Sequence, residues 1–292
     1  MSTTFLGTGI AIVTPFNADK SIDYDALKKI VDFNIENGVN YIVISGTTGE
    51  SVTVSAEEKK EITKFIIKTT NNRVPLVLGI GGNDTTQVIN EIKTTDFTGL
   101  SGILSVAPYY SKPTQEGFYQ HFKAVSEICP VDIILYNVPG RTAKNMEVDT
   151  TIRLAKDFKN IVAVKEAAGE MSQYYQLLKK KPADFAVISG DDDLALGVTL
   201  AGGSGVISVI GQAMTKDFCS MIQLGLQGNA KEAFKLHYNL MEITDLIFSE
   251  NNPSGIKAVL EILDLCKAEV RLPLVEATLG LKTKINTFLK NY

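Results

Sequence analysis

The sequence predicts an α/β fold in which eight short strands alternate with helices, and three observations carry that prediction. Strand-length apolar runs recur along most of the chain. Segments of helical periodicity separate them, as in repeated βα units. The runs number eight, which points to a closed TIM (β/α)8 barrel more than to an open doubly wound sheet of about five or six strands.

The strand candidates begin at Gly7 (GTGIAIV), Asn40 (NYIVISG), Pro75 (PLVLGI), Ser101 (SGILSVA), Val131 (VDIILYN), Asn160 (NIVAVKE), Asp184 (DFAVISG) and Ser204 (SGVISVI). Each is too short for a helix and almost continuously apolar, the pattern of parallel strands covered on both faces. Between the first two runs, Asp23 to Asn37 places Leu27, Ile30, Val31 and Ile35 on one helical face, with Gly38 as the stop. Ser55 and Glu58 form a capping box for a helix carrying Ile62, Phe65 and Ile66. Pro75 then marks entry to the third strand. The region beyond Asn229 reads as helix without strand signals: one pattern through Ile247, one after Pro253 and one after Pro273. The expected division is a barrel over residues 1–225 and an appended C-terminal helical subdomain over 226–292, packed on it.

Lysine and arginine total 29 against 33 aspartates and glutamates, a net charge of -4, which disfavours a dedicated nucleic-acid binder. Small metabolites are the default partners. The three cysteines, Cys129, Cys219 and Cys266, are scattered without CxxC spacing, so a reducing cytoplasm fits better than a disulfide framework. The start, MSTTFLGTGIAIVTPF, lacks the basic and apolar regions of a secretion signal. No apolar run reaches the roughly 18 residues that cross a membrane.

Barrel enzymes place their chemistry at the carboxyl ends of strands, which shortens the candidate list. Lys165 ends the apolar run Ile161–Lys165. Burial disfavours the ammonium form of a lysine and leaves a nucleophilic amine. The plainer reading is a lysine reaching to solvent or paired with Glu166. Tyr136 ends the neighbouring run, where a phenol could relay protons or simply be a core tyrosine with a satisfied hydroxyl. The stretch Gly46-Thr47-Thr48-Gly49-Glu50 offers backbone amides and two hydroxyls to a carboxylate, or is an ordinary βα turn. Arg141, after Pro139-Gly140, suits bidentate capture of a second carboxylate or belongs to the surface. Asp191-Asp192-Asp193 is expected to cap the next helix more than to bind metal.

Other chemistries find little support. His121 and His237 lie far apart on helical patterns without ligand spacing, so no metal site is expected. Gly79, Gly81 and Gly82 miss the dinucleotide fingerprint. Gly202-Gly203-Ser204-Gly205 resembles a phosphate turn but precedes its strand, at the wrong end of the barrel. A lysine without metal or nucleotide motifs favours Schiff-base chemistry.

Gly46-Thr47-Thr48-Gly49-Glu50, Ala107-Pro108-Tyr109-Tyr110, Tyr136 to Thr142 (YNVPGRT) and Val164-Lys165-Glu166 occur in order, each at a strand end. On these motifs the whole chain resembles the dihydrodipicolinate synthase family, within the N-acetylneuraminate lyase superfamily. The resemblance implies a class I lyase, in which Lys165 forms an imine with pyruvate and no other cofactor is needed. The enamine would attack L-aspartate 4-semialdehyde, giving hydroxytetrahydrodipicolinate for diaminopimelate and lysine biosynthesis. Thr48, Tyr136 and Tyr110 would form the proton relay, with Tyr110 reaching in from a neighbouring subunit of a homotetramer built from two tight dimers. Thr47 and Thr48 would hold the pyruvate carboxylate, Arg141 the semialdehyde carboxylate, and Gly190 and Ile207 would line the pocket. The N-acetylneuraminate lyase branch is the alternative; it has GSTGE in place of GTTGE and usually lacks the arginine found at Arg141. The other alternative is a non-catalytic barrel that senses a ligand or serves as a scaffold.

Members inhibited by lysine bind it at the tight-dimer interface. Ser51, Asn83 and Tyr109 match that pocket. Ala56 and Lys59 stand where such members usually carry histidine or a neutral polar group, and Gln87 stands where they carry a glutamate. Lys59 is expected to repel a cationic ligand, and Gln87 to lack the charge that pairs with it.

Overall fold

The computed structural model describes residues 4–292. The first three residues, which begin both the expected barrel segment and the stretch read for a leader, lie outside the described residues.

Eight parallel strands close into a barrel in chain order, with the last pairing to the first. They are β1 (Gly7–Ala11), β2 (Tyr41–Ile44), β3 (Leu76–Gly79) and β4 (Gly102–Val106), followed by β5 (Asp132–Asn137), β6 (Ile161–Glu166), β7 (Ala186–Ser189) and β8 (Gly205–Ser208). Every apolar run read as a strand contains one of them.

The first helices start where short polar side chains satisfy free backbone amides. Asp23 accepts from Ala26 N to open α1 (Tyr24–Glu36). Both halves of the Ser55–Glu58 capping box are present at α2 (Ala56–Thr70). Asp84 and Thr114 cap α3 (Thr85–Thr94) and α4 (Gln115–Ile128). The strand-to-strand crossovers continue with α5 (Pro139–Thr142), α6 (Val148–Asp157), α7 (Met171–Lys180) and α8 (Ala195–Leu200). After β8 come a 3₁₀ turn (Ile210–Gln212), α9 (Thr215–Leu226), α10 (Ala230–Phe248), α11 (Ser254–Ile262) and α12 (Leu279–Asn291). Helix α10 packs along α9 and also touches α8, while α11 and α12 pack on α10. Among the described residues no helix is long and apolar enough to cross a membrane.

Strand alternation divides the core into two layers. Ile133, Leu135 and Val164 face the helices in the larger cluster, whereas Ile134, Tyr136, Ala163, Ile188 and Ile207 fill the barrel interior. Lys165 follows Ala163 by two residues and so shares its inward face.

Candidate active site

A cavity of about 460 Å³ opens at the carboxyl end of the barrel, lined among others by Thr47, Thr48, Tyr136, Arg141, Lys165 and Gly190. Six residues singled out from the sequence thus converge from the ends of β2, β5, β6 and β7. Lys165 is buried, at 5% exposure, and its Nζ lies over the ring of Tyr136. It is not paired with Glu166, which alternation turns to the opposite face of β6. There Asn137 Nδ2 donates to both carboxylate oxygens of Glu166, at 3.0 Å each. Gly190 has a direct steric reason to be glycine: a Cβ there would stand 2.9 Å from Lys165 Cε and 2.8 Å from the Glu166 carbonyl oxygen.

The Thr47-Thr48 stretch is a double turn. Gly49 N donates to Gly46 O and Glu50 N to Thr47 O. This presents Thr48 to the cavity while keeping it buried. Arg141 sits on the short helix α5 directly after β5, exposed at the cavity rim.

Two expected site residues lie elsewhere. Ile207 is fully buried in the barrel interior rather than on the cavity lining; Val209, two residues further on, lines it. Tyr110 is 88% exposed, outside the cavity of its own chain, with a left-handed backbone (φ 69). That conformation is uncommon for a bulky residue and often marks functional loops.

The aspartate run does not cap the next helix. Helix α8 follows Leu194 without any side-chain cap. Asp192 instead accepts from Val209 N and Ile210 N at 3.0 Å each, because the barrel brings those amides within reach across the sheet. Asp191 accepts from Tyr174 Oη at 3.0 Å and from Gly169 N at 3.1 Å. Burial pushes Asp192 up to about 6, opposed by those amides and by the charge of Lys165. Burial also pushes Glu166 up to about 7, against the hydrogen bond from Asn137.

The possible regulatory positions lie on α2 and α3 and in the loops after β2, β3 and β4. Ser51 and Tyr109 are half-buried; Ala56, Asn83 and Gln87 are exposed. Lys59 is not the bare charge expected: its Nζ donates to Gly79 O at 2.6 Å and forms an ion pair with Glu91. Among the described residues no group of three or more His, Cys, Asp or Glu side chains could hold a metal ion.

Sequence reading missed Asn252, whose Nδ2 donates to Thr48 Oγ1 at 3.1 Å. It also missed the buried ion pair between Glu50 and Lys257. Both contacts join residues more than 200 positions apart, and no periodicity or short motif announces them.

The model of the dihydrodipicolinate synthetase family matches residues 4–292. A 4-hydroxy-tetrahydrodipicolinate synthase of Flavobacterium psychrophilum is 54% identical over 286 residues, covering 98% of each chain. Among solved structures, a chloride-inhibited dihydrodipicolinate synthase from Acinetobacter baumannii, complexed with pyruvate, superposes with a TM-score of 0.95. It is 37% identical and 99% of each chain is covered. A synthase from Cyanidioschyzon merolae with lysine bound gives a TM-score of 0.94 at 35% identity, over 98% of each chain.

Proposed function

The chain belongs to the dihydrodipicolinate synthetase family, and from that premise we propose that Lys165 carries the condensation of pyruvate with L-aspartate 4-semialdehyde. The enzyme is a pyruvate-dependent lyase of diaminopimelate and lysine biosynthesis. The observation that carries the assignment of residues is the convergence of Lys165, Tyr136, the two threonines and Arg141 on one cavity.

The amine of Lys165, on giving up its proton, attacks the carbonyl carbon of pyruvate, and the carbinolamine loses water to give an imine. Tyr136 and Thr48 move the protons this requires, with Tyr110 of an adjacent subunit completing the relay. Thr47 and Thr48 hold the pyruvate carboxylate. Loss of a methyl proton forms the enamine, whose carbon attacks the aldehyde, and the new alkoxide takes up a proton. Arg141 holds the carboxylate of the semialdehyde through the attack. The amino group of that substrate then attacks the imine carbon, closing the ring and expelling the Lys165 amine. The product is 4-hydroxy-tetrahydrodipicolinate. No cofactor beyond the covalent pyruvate enters this sequence.

The assembly fitting this scheme is a homotetramer of two tight dimers. The exposed apolar side chains of Val52, Tyr110 and Leu272 are surface that such an assembly would cover. We place the enzyme in the cytoplasm, consistent with three free cysteines.

Incubation with pyruvate and borohydride tests the covalent step. The expected result is one reduced pyruvyl group on Lys165, located by peptide mass spectrometry, with turnover insensitive to EDTA. Labelling of a different lysine, or activity lost to EDTA and restored by metal, overturns the mechanism.

A further inference from the structure

Glu50 closes the Gly46–Glu50 stretch, and the steps above give it no task. Its side chain is 1% exposed and that of Lys257, on α11, is 0% exposed. Lys257 Nζ donates to Glu50 Oε1 at 2.6 Å, and Arg271 N donates to Glu50 Oε2 at 2.9 Å. The same ammonium donates to Glu269 O at 2.7 Å and lies 4.3 Å from the centre of the Phe16 ring. Glu50 is thus gripped on both oxygens by the C-terminal part of the chain.

Backbone geometry gives that grip a purpose. Glu50 has φ 55, a left-handed conformation that disfavours any residue with a side chain. Glycine would satisfy the backbone alone, so the carboxylate is what this position uses. Glu50 N closes the turn on Thr47 O at 3.0 Å, which leaves Thr48 central in two overlapping turns. Five residues before Lys257, Asn252 holds the Thr48 hydroxyl oxygen directly. One C-terminal segment therefore grips the threonine turn at both its side chain and its closing residue. A buried ion pair is a poor device for stability alone, since an apolar pair of similar volume often serves as well.

We propose that Lys257 is a positioning residue for the condensation, acting through Glu50 to fix the turn that aims Thr47 and Thr48 at the pyruvate carboxylate. The C-terminal helices then belong to the working parts of the pyruvate half-site. This rests on the assignment of that half-site given above. It separates the two substrates, because Arg141 stands on α5 and takes no part in the hydrogen bonds of the clamp.

The test uses the full-length protein carrying Glu50→Gln with Lys257→Met, which removes both charges and keeps an acceptor for Arg271 N. Glu50→Gln alone is the second variant; it keeps an isosteric amide oxygen for Lys257 but leaves the buried ammonium without a counter-charge, so it is the harsher test of folding. Folding is read by circular dichroism and melting, activity as kcat and KM for each substrate, and imine formation by borohydride trapping. In folded variants kcat/KM for pyruvate should fall about 100-fold for the double variant, the scale of a misplacement near 1 Å. The single variant should move the same way by a smaller factor, and KM for the semialdehyde should stay unchanged. Wild-type pyruvate constants in either folded variant overturn the proposal, as does an equal loss toward both substrates. Failure of the wild-type enzyme to trap pyruvate on Lys165 removes the site assignment and this proposal with it. Normal trapping in wild type alongside unaffected variants removes only the role of Lys257.

Discussion

Lys165 and Tyr136 are register partners on β6 and β5, and the lysine Nζ lies 4.4 Å from the centroid of the tyrosine ring. Neighbouring parallel strands hold such a pair at a spacing set by backbone hydrogen bonds, so neither side chain depends on a mobile loop. The next partners along the strands, Asn137 and Glu166, face the other way and are themselves hydrogen bonded. Lys165 and Tyr136 thus stand against a second, satisfied pair on the reverse of the same two strands.

Tyr136→Phe keeps the ring beside Lys165 and removes only the hydroxyl. Turnover should fall about 100- to 10,000-fold, the usual share of a general acid–base group, with KM little changed. Arg141→Ala should instead cripple use of the semialdehyde while borohydride still traps pyruvate on Lys165. Steady-state kinetics with each substrate varied in turn, beside the trapping assay, separates the two. Unchanged kinetics in either variant removes that residue from its role.

The barrel is readable because strand and helix periodicities differ, and the strand ends then nominate Lys165, Tyr136 and Arg141. Contacts that depend on tertiary approach are not readable in that way. The carboxylate of Asp192 could as well have capped its own helix; only barrel closure sets the amides of Val209 and Ile210 beside it. Lys59 gives no local hint that Glu91, 32 residues on, takes up its charge. Thr48 shows in sequence as half of a hydroxyl pair, but not that Asn252 holds it.

Tyr110 stands exposed and outside the cavity of its own chain. If the relay is completed across an interface, Tyr110→Phe and Lys165→Ala chains should each be nearly inactive alone. Mixed oligomers should regain activity, because some sites then combine an intact Lys165 with an intact Tyr110. Subunit exchange verified by mass spectrometry without recovered activity would place Tyr110 within its own site.

Glu166 links stability to pH. Burial raises its carboxyl in the folded state to about 7, from its ordinary value of 4.5. The folded protein therefore holds a proton that the unfolded chain has lost, so this contribution is present in full below the unfolded value. It fades as pH rises to about 7, and the shift corresponds to roughly 3 kcal/mol at most. Glu166→Gln keeps an uncharged acceptor for Asn137 and removes the titration. Urea midpoints of the variant minus those of wild type should rise steadily between pH 4.5 and 7. A difference that stays flat across this window contradicts the raised carboxyl.

Lysine should be a poor inhibitor of this enzyme. At the positions that the sequence resemblance assigns to a lysine pocket, Ser51, Asn83 and Tyr109 carry polar groups, but nothing at Ala56 or Gln87 supplies a negative charge. An amide at Gln87 in place of a carboxylate forgoes a charge-assisted hydrogen bond, roughly 1.5–3 kcal/mol. Lys59 adds to this in a way its sequence position does not reveal. Its ammonium occupies the Gly79 carbonyl and the Glu91 carboxylate, so neither acceptor is free for a cationic ligand, while the paired charge itself repels that ligand little. Since about 1.4 kcal/mol is a tenfold change in affinity, the combined effect reaches a hundredfold or more. Millimolar L-lysine should therefore leave initial rates almost unchanged, and Gln87→Glu should raise sensitivity about tenfold or more. A wild-type inhibition curve with a submillimolar midpoint would show that the pocket rearranges enough to overcome all three departures.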